Sequence, residues 1–256
     1  MAKESYERAQ EIFRNNVNYK YISKYFSMYE PDQNYFLNLV YESFLYMQNT
    51  VTLNGIDISE ANGVINWDQI KKDKSIDFVI IRAGQRDKID SKYVENYNGA
   101  KDAEIPIGVY WYAKATGKSK AKIEAQYCRE ILKEKKFEFP IYYVVEEQNI
   151  FDNGAQEDII NNFCDVLNHN KSINYLCGFR SNSNRIRFNF DEEEIDDFQK
   201  WAYNDNDDIS SDVKKGVNVW KYSGEGNING IEGKVSLDKS VINYTKITKE
   251  NHFNGY

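Results

Sequence analysis

Two carboxylates stand where predicted strands end. Asp57 lies inside Gly55-Ile-Asp-Ile-Ser59, and Glu146, with Glu147 beside it, closes Tyr142-Tyr143-Val144-Val145. Side chains alternate faces along a strand, so Tyr142, Val144 and Glu146 share one face and Tyr143, Val145 and Glu147 share the other. In a barrel of parallel strands, groups at the C-terminal strand ends gather in the mouth. Asp57 and one glutamate meeting there would supply what glycoside hydrolysis needs: an acid to protonate the leaving oxygen and a group to stabilise the developing cation. Exposed acids are common, so the pair takes its meaning from its surroundings.

The elements that must position these groups can be read from hydropathy. From residue 55 onward, short apolar runs alternate with polar helical stretches. The runs are Gly55–Ser59, Asp77–Gly84, Pro106–Lys114, Pro140–Glu147 and Tyr175–Ser181. Helices are predicted between them over Trp67–Lys74, Tyr93–Ala103, Ser119–Lys135 and Ala155–His169. This alternation implies a parallel sheet with crossover helices. After about residue 199 the helices give out. Trp201–Tyr203, Val217–Tyr222 and Lys234–Ser236 read as strands, with Gly224, Gly226, Gly230 and Gly233 punctuating the turns. Five β/α units followed by about three strands would close an irregular TIM-like β/α barrel; a doubly wound open sheet is the competing fold. No G-x-G-x-x-G follows the first strand, which argues against a dinucleotide site. Residues 1–52 form a separate N-terminal extension, 53–248 the barrel and 249–256 a C-terminal tail. In the extension, Tyr6, Ile12, Phe13, Val17, Tyr19, Ile22 and Phe26, then Tyr35, Phe36, Leu39, Val40, Phe44 and Leu45, recur at helical spacing on either side of Pro31. Two amphipathic helices are expected there, either capping the barrel or docking a protein partner or a second copy.

Composition narrows the function classes. A chain of 256 residues with 41% hydrophobic and 15% aromatic content can build a sizeable core. A formal net charge of -7 gives no purchase on phosphate backbones, so no nucleic-acid partner is expected. Neither a secretory h-region nor a membrane-length apolar run is present; the reading is a cytosol-made protein with no membrane partner, released by lysis or carried in a phage-like particle. Cys128, Cys164 and Cys177 have no C-x-x-C spacing and read as buried reduced thiols. His169 and His252 are far apart, which leaves no metal centre and no cofactor to expect.

A longer series of motifs surrounds the two acids. Gly55-Ile-Asp-Ile-Ser59 leads to Asn62-Gly63-Val-Ile-Asn-Trp67, then to Phe78-Val-Ile-Ile-Arg-Ala-Gly84 and Asn96-Tyr-Asn-Gly-Ala100. Ile105-Pro-Ile-Gly-Val-Tyr110, Pro140-Ile-Tyr-Tyr143, Val219-Trp-Lys-Tyr-Ser223 and Gly230-Ile-Glu-Gly-Lys-Val235 follow. In this order the series resembles the glycoside hydrolase family 25 lysozymes, muramidases that cut peptidoglycan between N-acetylmuramic acid and N-acetylglucosamine. The resemblance covers about residues 53–245. It implies an irregular β/α barrel, Asp57 as the first-strand aspartate, Glu146 as general acid, and Tyr110, Tyr142 and Trp220 as substrate-binding aromatics.

Three positions depart from the family pattern. Its Asp-x-Glu pair falls on Val144-Val145-Glu146, its Val-Asp-Leu-Asn on Val235-Ser236-Leu237-Asp238, and its tyrosine after Gly-x on Arg180. Losing one transition-state electrostatic partner costs on the order of 10² to 10³ in rate. Glu147 could substitute only if it faced the mouth. Arg180 is either a surface charge or a partner of Asp57 or Glu146 that suppresses proton donation. Arg82 is expected in a structural ion pair, with a sugar contact as the alternative, and the acidic run Asp191–Asp197 on a solvated helix face. The readings in play are therefore an impaired barrel that binds cell-wall glycan or serves in an assembly, and, as the alternative, an active endolysin-like muramidase.

Overall fold

The computed structural model describes residues 50–168, 173–204 and 216–256. The two predicted N-terminal helices and His169 lie outside the described residues.

The strands are β1 (Thr50–Ile58), β2 (Phe78–Gln85), β3 (Lys88–Ile89), β4 (Ile107–Tyr112), β5 (Ile141–Val144), β6 (Cys177–Asn182), β7 (Gln199–Tyr203), β8 (Val217–Gly226) and β9 (Val235–Ile242). The helices are α1 (Trp67–Asp73), α2 (Tyr93–Asp102), α3 (Lys118–Leu132), α4 (Gln148–Asp152), α5 (Gln156–Asn168), α6 (Ser183–Phe188), α7 (Glu192–Ile195) and α8 (Tyr244–Glu250). They form one sheet ordered β1-β9-β8-β7-β6-β5-β4-β2-β3, and β1 also pairs with β2. That last pairing closes the ring and excludes the open doubly wound sheet. Neighbours from β1 through β2, β4, β5, β6, β7 to β8 are parallel, while β9 runs antiparallel to β8. The two-residue β3 is a hairpin on the end of β2.

Parallel strands are buried on both faces, and each strand here serves two cores. Val79, Ile81, Val109, Trp111, Ile141, Tyr143 and Phe179 join the layer between sheet and helices. Phe78, Ile80, Tyr110, Tyr142, Val144, Trp201 and Val219 fill the barrel. The helices present matching stripes: Ala121, Ala125, Cys128 and Leu132 from α3, and Ile160, Phe163, Cys164 and Leu167 from α5, at spacings that put them on one face. Tyr143 stacks on Phe163 at 4.0 Å and donates its hydroxyl to Glu124 at 2.8 Å, which seats α3 and α5 on β5. Gly178 is required by a close approach: a Cβ there would meet the Gln199 carbonyl oxygen at 2.3 Å. All three cysteines are free and buried.

The sequence reading underestimated the end of the chain. β9 extends to Ile242, because its barrel-facing positions carry Asp238 and Ser240 and so lack an apolar alternation. The expected tail 249–256 begins inside α8 and then packs against the barrel. Asn254 is fully buried, donates to the Phe139 carbonyl at 2.9 Å and accepts from the Leu176 amide at 2.7 Å. Two short helices, α6 and α7, lie between β6 and β7 and make the fifth helical crossover. Glu192, Glu193 and Glu194 of α7 are exposed, as the acidic run suggested, and only Ile195 turns inward.

Candidate active-site mouth

Alternation along each strand decides what reaches the mouth. On β1, Ile56 and Ile58 pack toward the helices, which turns Asp57 inward beside Ile80 of β2. On β5, Tyr142 and Val144 face the barrel, and the chain continues to Glu146 on the same side. On β6, Phe179 faces out, so Arg180 faces in. β7 contributes Trp201 and Tyr203, β8 contributes Lys221, and β9 contributes Asp238.

These side chains form one ionic cluster. Arg180 Nε lies 3.1 Å from Glu146 Oε1, and its Nη1 lies 3.8 Å from Asp57 Oδ1. Lys221 Nζ lies 3.5 Å from Asp57 Oδ2. The guanidinium also sits over the Trp201 ring at 4.5 Å and near Tyr203 at 5.7 Å. Asp238 accepts a 2.8 Å hydrogen bond from Trp201 Nε1, and its second oxygen has no hydrogen-bond partner among the described residues. Arg180, Asp57 and Asp238 are all buried, whereas the Glu146 side chain keeps 26% of its surface exposed. Glu146 is thus the carboxylate through which the cluster meets solvent.

The electrostatics follow from this packing. Burial opposes the charge on Arg180, but the carboxylates facing it, Asp57 and Glu146 first, outweigh it and hold the guanidinium more firmly protonated than usual. Burial, reinforced by the negative charge of Asp57, pushes the Asp238 carboxyl up to about 8, against the opposing pull of Arg180, Lys221 and the Trp201 N–H. Asp238 is therefore mostly protonated at pH 7. Burial, and then Asp57, also push the Tyr110 hydroxyl upward, so it remains protonated.

Of the residues singled out from sequence, Asp57, Glu146, Val144 and Arg180 converge. Tyr110 and Tyr142 lie in the same barrel, packed on Trp201 with ring centroids at 5.9 and 5.3 Å. Tyr142 is wholly buried, so it forms the floor beneath the mouth. Ser236, half-buried, precedes Asp238 on the same face of β9. Trp220 does not belong with them. It packs in the layer between sheet and helices, next to Ala202, because its neighbours Val219 and Lys221 take the inward positions. Glu147 is drawn away into an ion pair with Lys114. Arg82 makes a structural clasp, 2.6 Å from Asp90 and 2.9 Å from Glu60. Arg185 donates to the Glu146 carbonyl and, at 2.8 Å, to Gln148, fixing the turn that carries Glu146.

The sequence reading missed Asp238, Lys221, Trp201 and Tyr203. Trp201 and Tyr203 could have been paired with Arg180 by period-two alternation. Lys221 and Asp238 required knowing which face of β8 and β9 is the inner one. No cluster of three metal-ligating side chains occurs among the described residues.

The comparisons agree with this fold. Among solved structures, the modular autolysin LytC of Streptococcus pneumoniae aligns with a TM-score of 0.65 at 24% identity, covering 73% of this chain and 46% of that one. That autolysin has also been solved with a synthetic peptidoglycan ligand. A lysozyme from Streptomyces coelicolor aligns with a TM-score of 0.59 at 19% identity, over 77% of this chain and 100% of that one. The catalytic domain of the endolysin ply40, from bacteriophage P40 of Listeria monocytogenes, gives 0.60 at 19%, over 80% and 98%. The chain thus spans under half the length of the autolysin, and nearly all of the lysozyme and of the endolysin catalytic domain. No curated protein sequence matches it. The family model for glycosyl hydrolases family 25 matches residues 56–231, and with the closed barrel and its inward carboxylates this places the chain in glycosyl hydrolases family 25.

Proposed function

We propose that this chain is a catalytically impaired member of the family that binds peptidoglycan glycan strands at the barrel mouth. The observation that carries the reading is the ion pair between Arg180 and Glu146 at 3.1 Å. That contact occupies a carboxyl oxygen of Glu146 that a general acid would have to present to the leaving oxygen. Val144 brings neither charge nor hydrogen bond to the place where a second carboxylate would stabilise the sugar cation. Asp57 is likewise engaged by two cations.

Binding asks less of the site than hydrolysis does. Half-buried Tyr112 and Tyr203 flank the charged cluster, with Lys114 over the Tyr112 ring at 4.7 Å and Lys221 at 5.6 Å from the Tyr203 ring, and a sugar would meet the aromatic surface these cations leave open. Glu146 is accessible as an acceptor. The autolysin's complex with a peptidoglycan ligand supports the same class of ligand for this mouth. The experiment is sedimentation with insoluble cell wall. The full chain should co-sediment, and Tyr203→Ala with Tyr112→Ala should reduce binding about tenfold, as expected for losing ring contacts worth about 1 kcal/mol or more. Equal sedimentation of both proteins would remove the mouth as the binding surface.

The second reading is an active muramidase using Glu146 as general acid. One observation favours it: the Glu146 side chain remains partly open to solvent with Asp57 nearby. A role in an assembly docked through residues 1–50 is a further proposal, tested by the oligomeric mass of the chain with and without that segment.

A further inference from the structure

We infer that the pole of the barrel opposite the mouth carries a second binding site, one that takes a phosphate-type oxyanion. The site surrounds a cavity of about 220 Å³ whose lining includes Lys135, Lys136, His252 and Tyr256. These residues precede β5 or follow α8, so they lie at the N-terminal ends of the strands.

The cavity is built around a fixed ring. Tyr256 donates its hydroxyl to Glu138, which also accepts from Lys101 at 2.8 Å and from the Ile107 amide at 2.9 Å. Glu138 is buried; burial opposes its charge, but these donors outweigh it and keep the carboxylate ionised. Onto this platform converge Lys136 and Lys249, at 5.1 and 5.3 Å from the Tyr256 centroid. Lys135 stands 5.8 Å from the neighbouring Tyr97 ring. Among the described residues, none of these three ammonium groups pairs with a carboxylate. Glu134, exposed, is the one acidic residue of the lining.

Lys136 and Lys249 share the Tyr256 ring, Lys135 stands by the Tyr97 ring, and each ammonium keeps N–H donors directed away from its ring. This occurs in a chain whose formal net charge is -7, so it is not a by-product of basic composition. An oxyanion at the cavity would accept charge-assisted hydrogen bonds from these donors. Lysine binds phosphate as a point charge without needing a planar fork, which suits a ligand presenting phosphate oxygens in variable orientation. The ligand could be free or a repeating phosphate on a polymer, and both sources share this chemistry.

The test is a calorimetric titration of the full chain with inorganic pyrophosphate at low ionic strength, alongside a long-chain polyphosphate. Saturable binding should weaken as sodium chloride is raised. Lys136→Gln with Lys249→Gln should lower the affinity at least about tenfold, while the charge-matched Lys120→Gln with Lys122→Gln, on exposed positions of α3, should leave it unchanged. Binding of both ligands with this pattern supports a site for free phosphate groups; binding of the polymer alone with this pattern supports the polymeric source. Equal weakening in the two double variants, or no binding of either ligand at about 10 mM, overturns the inference. Circular dichroism of both variants distinguishes lost binding from lost folding. If Lys136→Gln with Lys249→Gln is unfolded, Lys135→Gln, also at the cavity, takes its place under the same criteria.

Discussion

Val144 and Arg180 are register partners on neighbouring strands, β5 and β6, with both side chains directed into the barrel. The place where a carboxylate is missing therefore adjoins the place where a cation has been gained. The two departures act on one another. An aspartate restored at residue 144 would meet a buried guanidinium before it met any substrate, and it would be neutralised as Glu146 and Asp57 already are. Val144→Asp with Ser236→Asp should accordingly release no reducing ends from peptidoglycan. Adding Arg180→Tyr should raise the rate by at least about 10² over that double variant. A double variant as active as the triple would show that Arg180 does not suppress the site.

Arg180 should also matter for stability. Removing one partner from a buried ionic cluster leaves the other charges uncompensated. Arg180→Gln should destabilise the fold by about 3 kcal/mol, which corresponds to a fall in Tm of about 6–12 °C for a domain of this size. Differential scanning calorimetry checks this. A loss below about 1 kcal/mol would mean that the cluster is solvated like an ordinary surface ion pair.

Asp238 gives a pH signature of definite sign. Its folded pKa, about 8, lies above the usual carboxylate value. Between the two values the folded state holds a proton that the unfolded state has released. Stability from this group is therefore complete at low pH and declines as pH rises toward 8, by at most about 1.4 kcal/mol per pH unit. Asp238→Asn retains an acceptor for Trp201 Nε1 and removes the titration. Its stability relative to the natural chain should match near pH 4 and grow more favourable up to about pH 8. Urea unfolding at a series of pH values measures this, and a constant difference across the range would refute the buried neutral acid.

Much of this arrangement was legible in the sequence because parallel strands advertise themselves. Phe78-Val-Ile-Ile and Ile141-Tyr-Tyr-Val are continuous apolar runs whose ends locate Arg82 and Glu146. Alternation along the fourth predicted strand separated Glu146 from Glu147 correctly. Trp220, which the family resemblance placed in the cleft, faces the other way because β8 turns its charged residue Lys221 inward and its apolar residue Trp220 outward. Asp238 went unrecognised because hydropathy does not mark a buried carboxylate unless its partner, Trp201, is known to stand opposite. The packing of the chain end was hidden for a related reason. Asn254 contributes hydrogen bonds, not apolar area, and hydropathy does not register them.

That chain end yields its own prediction. Asn254 satisfies the Leu176 amide and the Phe139 carbonyl at the closed pole of the barrel. Asn254→Ala would leave two buried backbone groups without partners, at about 1–3 kcal/mol each. Chemical denaturation should show a loss of about 2–6 kcal/mol with no change in wall sedimentation. A neutral substitution would mean that water replaces the side chain.

The central claim is that Arg180 holds Glu146 away from its role as proton donor. The direct measurement is the release of new reducing ends when the purified full chain is incubated with peptidoglycan, beside Glu146→Gln. The account predicts the same background release from both proteins, with wall binding retained. Release by the natural chain that disappears in Glu146→Gln would contradict it and establish an active muramidase.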